Sequence, residues 1–218
     1  MATLILRPAR DESLGHSYSS GDSGYAMISE SSADDDSTYI YQSISSTSSS
    51  SATSKFKLTG PMPSGSFKIT GAKLLVRGKS SGSGTYSGTY KLSIDTSSSN
   101  LSLSTSYQNS STTSTASSLI NNTYTSSNFP SISVEITTQG NKSSSKDNNF
   151  NIRITQAYLE LTYEEVVEET DALYIKQNGS WVKYNQVYKK INGSWVLQSD
   201  LTSVFNQNTN YVKGNWGV

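Results

Sequence analysis

The residue in this chain most readily given a chemical role is its only histidine, His16. Asp11 and Glu12 precede it and serines follow, so a Ser-His-Asp relay could be assembled in space. A nucleophile elbow of the G-x-S-x-G kind is absent, and in so serine-rich a chain a serine near His16 carries little information. The second candidate is the run ESSADDD at residues 30–36, where Asp34, Asp35 and Asp36 could offer carboxylate oxygens to Ca²⁺. An EF-hand loop needs ligands at alternating positions about a central glycine; the run has neither, and a solvated turn is the simpler reading. Cysteine is absent, which removes thiolate nucleophiles, thiolate metal sites and disulfides. The acidic residues gather in a loop and a connector, whereas glycoside hydrolysis needs two carboxyls projecting into one cleft. No phosphate loop or dinucleotide fingerprint occurs. The expectation is a chain with no catalytic residues and no cofactor.

Binding is better supported than chemistry. YIKQNGSWV at residues 174–182 returns as YKKINGSWV at residues 188–196. Asn-Gly between short alternating runs is the strongest local signal for a two-residue hairpin turn, because both residues accept positive φ. Centring the turns on Asn178-Gly179 and Asn192-Gly193 pairs Lys176 with Trp181, Ile175 with Val182, Tyr174 with Lys183 and Lys190 with Trp195. A further tight turn at Asn185-Gln186 would join the two hairpins into a four-stranded meander. Period-two facing then gathers Leu173, Ile175, Val182, Tyr184, Val187, Ile191 and Val196 on one face, with Lys189 the exception. The other face holds Tyr174, Lys176, Trp181, Lys183, Tyr188, Lys190 and Trp195.

The two faces make different demands. Apolar area gains roughly 25 cal/mol per Å² on burial, so the aliphatic face requires a partner and is the expected assembly interface. Lysine across from tryptophan is a cation–π pair worth about 0.5–1 kcal/mol at a surface, so the mixed face can remain in water. A degenerate third copy near the end sets Lys213 across from Trp216, with residues 200–205 as an N-capped helical turn between. Trp181, Trp195 and Trp216 are also stacking planes on which a sugar ring could lie.

Composition narrows the classes. Lys and Arg number 17 against 17 Asp and Glu, and only 16% of residues are charged, so the basic stripe that nucleic-acid binding requires is missing. No stretch approaches the roughly 20 apolar residues of a membrane span. The start, MATLILRPARDE, carries its basic residues after a short apolar run, the reverse of a secretory signal.

The elements expected to position these groups are almost all strands. Strands are expected at residues 3–7, ending at Pro8, then at 25–29, 37–44, 55–58, 66–77 with a bulge at Gly71, 89–95, 101–107 and 131–137. Residues 150–163 should be one long strand whose facing changes at a bend, since neither alternate set is purely apolar. Residues 10–24, 45–53 and 78–88 read as polar loops, and 108–127 as a packed crossover or one helical turn. The predicted fold is all-β: an antiparallel sandwich over residues 1–163, of jelly-roll type, an acidic linker at 164–171, and a small β-meander module at 172–218.

Two ends of the chain resemble a known family. VYKKINGSWV followed by QSDLTSVF and NTNYVKGN resembles the C-terminal repeat of virion structural proteins of tailed bacteriophages, and ATLILRP with ESSADDDSTYI is similar to the start of the β-sandwich in such proteins. The resemblance implies a capsid decoration, head-fibre or tail-appendage protein without catalytic residues, assembled in the host cytoplasm as part of the virion. It implies capsid or tail subunits, and further copies of the chain, as partners. The alternative is a carbohydrate-binding module that adheres to a host surface glycan through Trp181, Trp195 and Trp216.

Overall fold

Strand β1 (Ala2–Ser13) joins the two sheets of the N-terminal unit. In the computed structural model, which describes residues 1–21, 23–82, 84–166, 173–177, 180–184, 187–191 and 193–198, Ala2–Leu6 pair with β11 (Phe150–Glu165) and Arg7–Ser13 pair with β4 (Ser50–Thr59). The strand was expected to stop at Pro8. It continues instead, because Pro8 stands where β1 leaves one sheet for the other and the ladder is already interrupted by a register shift before Arg10. A residue without an N–H is tolerated at such a bulge.

All pairing is antiparallel. In the first sheet β11 has β5 (Phe67–Ser80) along one edge, with β3 (Ile40–Ile44) and the first half of β1 end to end along the other. Beyond β5 lie β8 (Gln108–Thr113) and β9 (Thr123–Tyr124), and beyond β3 lies β2 (Ser17–Tyr18). The second sheet runs from the second half of β1 through β4 and β10 (Ser133–Lys142) to β6 (Gly84–Leu92) and β7 (Ser99–Asn100). The described residues thus form an all-β antiparallel structure. One core joins the inward residues of both sheets: Leu4, Leu6, Leu74, Val76, Leu159 and Leu161 from the first, and Phe56, Leu58, Tyr90, Leu92, Val134 and Ile136 from the second.

The bend expected in residues 150–163 is a bulge. Ile154 pairs with Gly78 and Gln156 with Arg77, leaving Thr155 as the extra residue. Ile152 and Ile154 are buried before it, and Thr155, Ala157, Leu159 and Leu161 from it onward, so the inward set changes parity at that point. A matching irregularity leaves Thr70 extra beside Gly71 in β5, where a bulge was read from the glycine.

Several expected loops are strands. Ser50–Thr53 begin β4 and pair with residues 137–140 of β10, and Ala52 and Ser54 face the interior. Small hydroxyl side chains pair well there because Thr53 Oγ1 meets Thr137 Oγ1 at 2.9 Å on the outer face. The glycine-rich tract 78–88 belongs mostly to β5 and β6; a Cβ on Gly82 or Gly84 would fall 2.3 Å and 2.7 Å from atoms of the Phe150 side chain, so these glycines permit close packing rather than a flexible turn. Residues 101–107 alternate yet make no strand: Leu101 is buried, its N–H donates to the Gly88 carbonyl at 2.8 Å, and the chain then turns on the Ser104–Ser106 hydrogen bond. Tyr25–Met27 is a short 3-10 turn, not a strand. Residues 108–127 hold both β8 and a turn in which the Leu119 and Ile120 N–H groups donate to the Ala116 carbonyl, burying Leu119.

The chain divides into two compact units, Met1–Val166 and Val167–Val218. Strand β11 runs through Glu164 and Glu165, past the expected end of the sandwich at residue 163. In the second unit β12 (Leu173–Gln177) pairs with β13 (Ser180–Tyr184), and β14 (Val187–Ile191) with β15 (Ser194–Gln198). The registers are those expected, with Lys176 opposite Trp181 and Lys190 opposite Trp195, and Gly193 takes a φ of 85°. Among the described residues these form two two-stranded sheets, and the Asn185-Gln186 turn expected to join them into a four-stranded meander lies outside the described residues.

Candidate functional site

The acidic run at residues 30–36 lies against cations carried by the first sheet. Arg77 and Lys79 on β5, and Arg153 on β11, share the facing set by period-two alternation in each strand. Arg77 grips Asp35 at two points, Nε to Oδ1 at 2.7 Å and Nη2 to Oδ2 at 2.8 Å. Lys79 Nζ donates to Asp36 Oδ2 at 2.8 Å and Arg153 Nη1 to Asp36 Oδ1 at 2.7 Å. The Tyr107 hydroxyl donates to the Asp35 carbonyl at 2.9 Å, and its ring lies 4.4 Å from Lys79 Nζ and 5.4 Å from the Arg77 guanidinium carbon. Arg153 sits 4.5 Å from the Tyr39 ring centroid.

The electrostatics follow from these contacts. The hydrogen bond from Arg77 holds the Asp35 carboxyl below the usual range, as that from Lys79 does for Asp36. Burial, reinforced by Asp36, pushes the Tyr107 hydroxyl up. Asp35 occupies the left-handed region at φ 55°, which Asp tolerates better than most residues.

Asp34 is used differently from its neighbours. Its Oδ1 accepts the Thr38 N–H at 3.0 Å, while Glu30 Oε1 accepts the Thr38 hydroxyl at 2.8 Å. The three aspartates considered for Ca²⁺ are thus committed to a turn and to three ion pairs. Among the described residues no group of three or more acidic or histidine side chains is arranged to hold a metal ion. Sequence reading singled out these carboxylates but missed Arg77, Lys79, Arg153 and Tyr107, which come from remote strands and share no local motif.

His16 does not lie in an open loop. It is buried, with Nδ1 2.8 Å from Ser54 Oγ and Nε2 2.9 Å from Thr138 Oγ1. Burial pushes the imidazole down to about 4. Asp11 and Glu12 are engaged elsewhere: Asp11 accepts the Gly24 and Tyr25 N–H groups, and Glu12 pairs with Lys55 and accepts from Ser133. Ser54 is fully buried, which closes the front of this Ser–His pair to a substrate, and among the described residues the group behind the ring is the Thr138 hydroxyl rather than a carboxylate. A nucleophile cannot operate there.

Among the described residues the first unit carries several clefts, two of them the more spacious. One, of about 300 Å³, is lined by hydroxyls of Thr96, Ser99, Thr112 and Ser117 around Asp95, whose carboxylate accepts from Ser114 Oγ at 2.6 Å. The other is an apolar groove between Ile5 of β1, Tyr163 of β11 and the Pro61-Met62-Pro63 segment.

The hairpin residues named from sequence fall partly outside this description. Backbone register sets Ile175 opposite Val182, Leu173 opposite Tyr184 and Lys189 opposite Val196. The side chains of Leu173, Ile175, Val182, Tyr184, Val187, Ile191 and Val196, and of Trp181 and Trp195, lie outside the described set, as does the whole of Trp216. Among the described residues no helix is long and apolar enough to cross a membrane. No protein family, curated protein or solved structure matches the chain.

Proposed function

We propose that the chain is a non-enzymatic structural protein of a tailed-bacteriophage virion, a capsid decoration, head-fibre or tail component that binds neighbouring subunits. The observation that carries this reading is the strand order of the first unit. The pairings β1-β11-β5-β8 in one sheet and β4-β10-β6-β7 in the other support reading this antiparallel fold as a jelly roll of two interleaved Greek keys. Viral capsid and lectin domains share that architecture. A fold hosts many functions; here its weight comes from agreement with the sequence resemblance at both ends of the chain.

The distribution of apolar surface supports the same reading. Among the described residues the exposed large hydrophobics are Met1, Leu14 and Tyr18, scattered rather than gathered in a patch. The sandwich covers its own core, so the contact with neighbours is assigned to the repeated hairpins. Their register sets Ile175 against Val182 and Leu173 against Tyr184, as an apolar docking face would require.

A density map of particles carrying a tagged copy of the chain tests the proposal. Regularly spaced extra density on head or tail is expected. A chain that instead binds a glycan array in a Trp195-dependent manner and adds no density to the particle belongs to the carbohydrate-binding class.

A further inference from the structure

We infer that His16, Ser54, Thr138 and Gln42 form an acid-sensitive latch inside the sandwich, closed while the imidazole is neutral and released when the ring gains a second proton, loosening β3 from the sheet of β4 and β10. The argument begins from the hydrogens. Thr138 Oγ1 has one proton and gives it to Gln42 Oε1 at 2.7 Å, so towards His16 Nε2 it can only accept. The ring proton therefore sits on Nε2, and Nδ1 is a bare lone pair that accepts from Ser54 Oγ. Ser54 Oγ in turn accepts the Gly15 and His16 N–H groups, both at 3.1 Å, which occupies its two lone pairs. On the far side Gln42 Nε2 donates to Ser50 Oγ at 3.3 Å, and Ser50 donates to the Gly140 carbonyl at 3.4 Å.

The relay has one polarity. Turning the Gln42 amide over would reverse the chain and require Nδ1–H to donate to Ser54 Oγ, whose acceptor capacity is already filled by two amides. The same obstacle meets a doubly protonated ring: its new N–H would face an oxygen with no lone pair to offer, in a site closed to water. His16, Ser54, Thr138 and Gln42 are all buried. A neutral imidazole satisfies every member, and an imidazolium breaks the relay at Ser54.

Among the described residues no counter-charge rescues the cation. On β4 the charged residues Lys55 and Lys57 alternate to the face opposite Ser54, and Lys55 pairs with Glu12 at 3.2 Å. On β10 Glu135 pairs with Lys91, and Lys142 donates to the Ser145 carbonyl and to Asn149. On β1 Asp11 holds the Gly24 and Tyr25 amides. On β3 the titratable Tyr41 alternates to the face opposite Gln42, and on β2 Tyr18 is exposed. The latch spans the two sheets because Gln42 belongs to β3, paired with β11, whereas Ser54 and Thr138 belong to the paired strands β4 and β10. His16 directly precedes β2, which pairs with β3, whereas Ser54 lies on β4, so the break at Ser54 weakens a contact between layers rather than within one.

The single histidine makes the test direct. Nitrogen-detected NMR of the imidazole in the full chain, followed from pH 7 to 3.5 alongside amide exchange corrected for intrinsic rates, is expected to report the Nε2–H tautomer with no transition near 6.5. Ring protonation should coincide with faster exchange at Ile40, Gln42 and Ile44 while Leu74 and Leu159 stay protected. Across that span the folding equilibrium constant of the wild-type chain should fall by roughly two orders of magnitude, and that of His16→Gln should not. A ring that titrates near 6.5, carries its proton on Nδ1, or protonates without any change in β3 exchange overturns the latch. The ring and exchange measurements need no variant, so they decide the matter even if His16→Gln does not fold.

Discussion

Arg77 holds Asp35 by two parallel hydrogen bonds, 2.7 and 2.8 Å, across 42 residues of sequence, and so ties the acidic loop to β5 of the first sheet. A planar guanidinium fits a carboxylate at two points where an ammonium cannot. Arg77→Lys and Asp35→Asn should therefore each lower stability by up to about 1 kcal/mol, the upper part of the range for ion pairs open to solvent. Urea unfolding at low and high salt checks this. The deficit should shrink as salt rises, and equal deficits at both salts would mean that lost packing rather than the ion pair is responsible.

Acid should act on the fold in two separate windows. The carboxyls of Glu12, Asp35 and Asp36 are depressed in the folded state, so their stabilisation is present above their ordinary values and is lost as pH falls from those values through the lower folded ones. His16 is also depressed, but for a base the consequence begins higher: the unfolded chain takes up the proton first, so stability falls from about 6.5 down to about 4. Denaturant midpoints recorded in half-unit pH steps should descend in two stages. Asp36→Asn should reduce only the lower one.

How far the sequence could be read depended on whether the deciding partner was local. The hairpin registers were legible because Asn-Gly fixes both turn type and pairing, and Lys176–Trp181 and Lys190–Trp195 follow. The parity change in β11 was legible because Ile152 and Leu159 fall on opposite alternations of one strand. The strands in Ser50–Thr53 and Gln108–Thr113 were not, since a hydroxyl-rich run acquires β structure from the neighbour it pairs with rather than from its own pattern. His16 was misplaced for the same reason. Its partners Ser54 and Thr138 lie 38 and 122 residues away, and nothing around His16 announces burial.

Thr155 is the extra residue of the β11 bulge, and from its own buried position its hydroxyl donates to the carbonyl of half-buried Thr38 at 3.0 Å. Thr155→Val keeps the shape and removes the donor. It should cost about 1–3 kcal/mol by leaving that carbonyl without its partner. Thermal unfolding compared with Thr53→Val, whose hydroxyl is on the outer face, checks the assignment; the inner substitution should be the more damaging.

Gly60 marks the point where β4 ends beneath the sheet-changing strand. A Cβ there would lie 2.4 Å from the Ile5 carbonyl oxygen, whereas one at Gly71 would meet Thr162 at an ordinary 3.5 Å. Gly60→Ala should therefore destabilise by about 1–3 kcal/mol, the usual range for forced overpacking, while Gly71→Ala should be near neutral. Chemical denaturation of the two variants side by side is sufficient.

The proposed function is tested most directly by quantitative mass spectrometry of density-gradient-purified phage particles from a culture producing this chain. If the chain is a virion part, its peptides co-sediment with the major capsid protein at a fixed ratio that persists through a second gradient. Peptides found only in the lysate supernatant, with none in the particle band, would contradict the account.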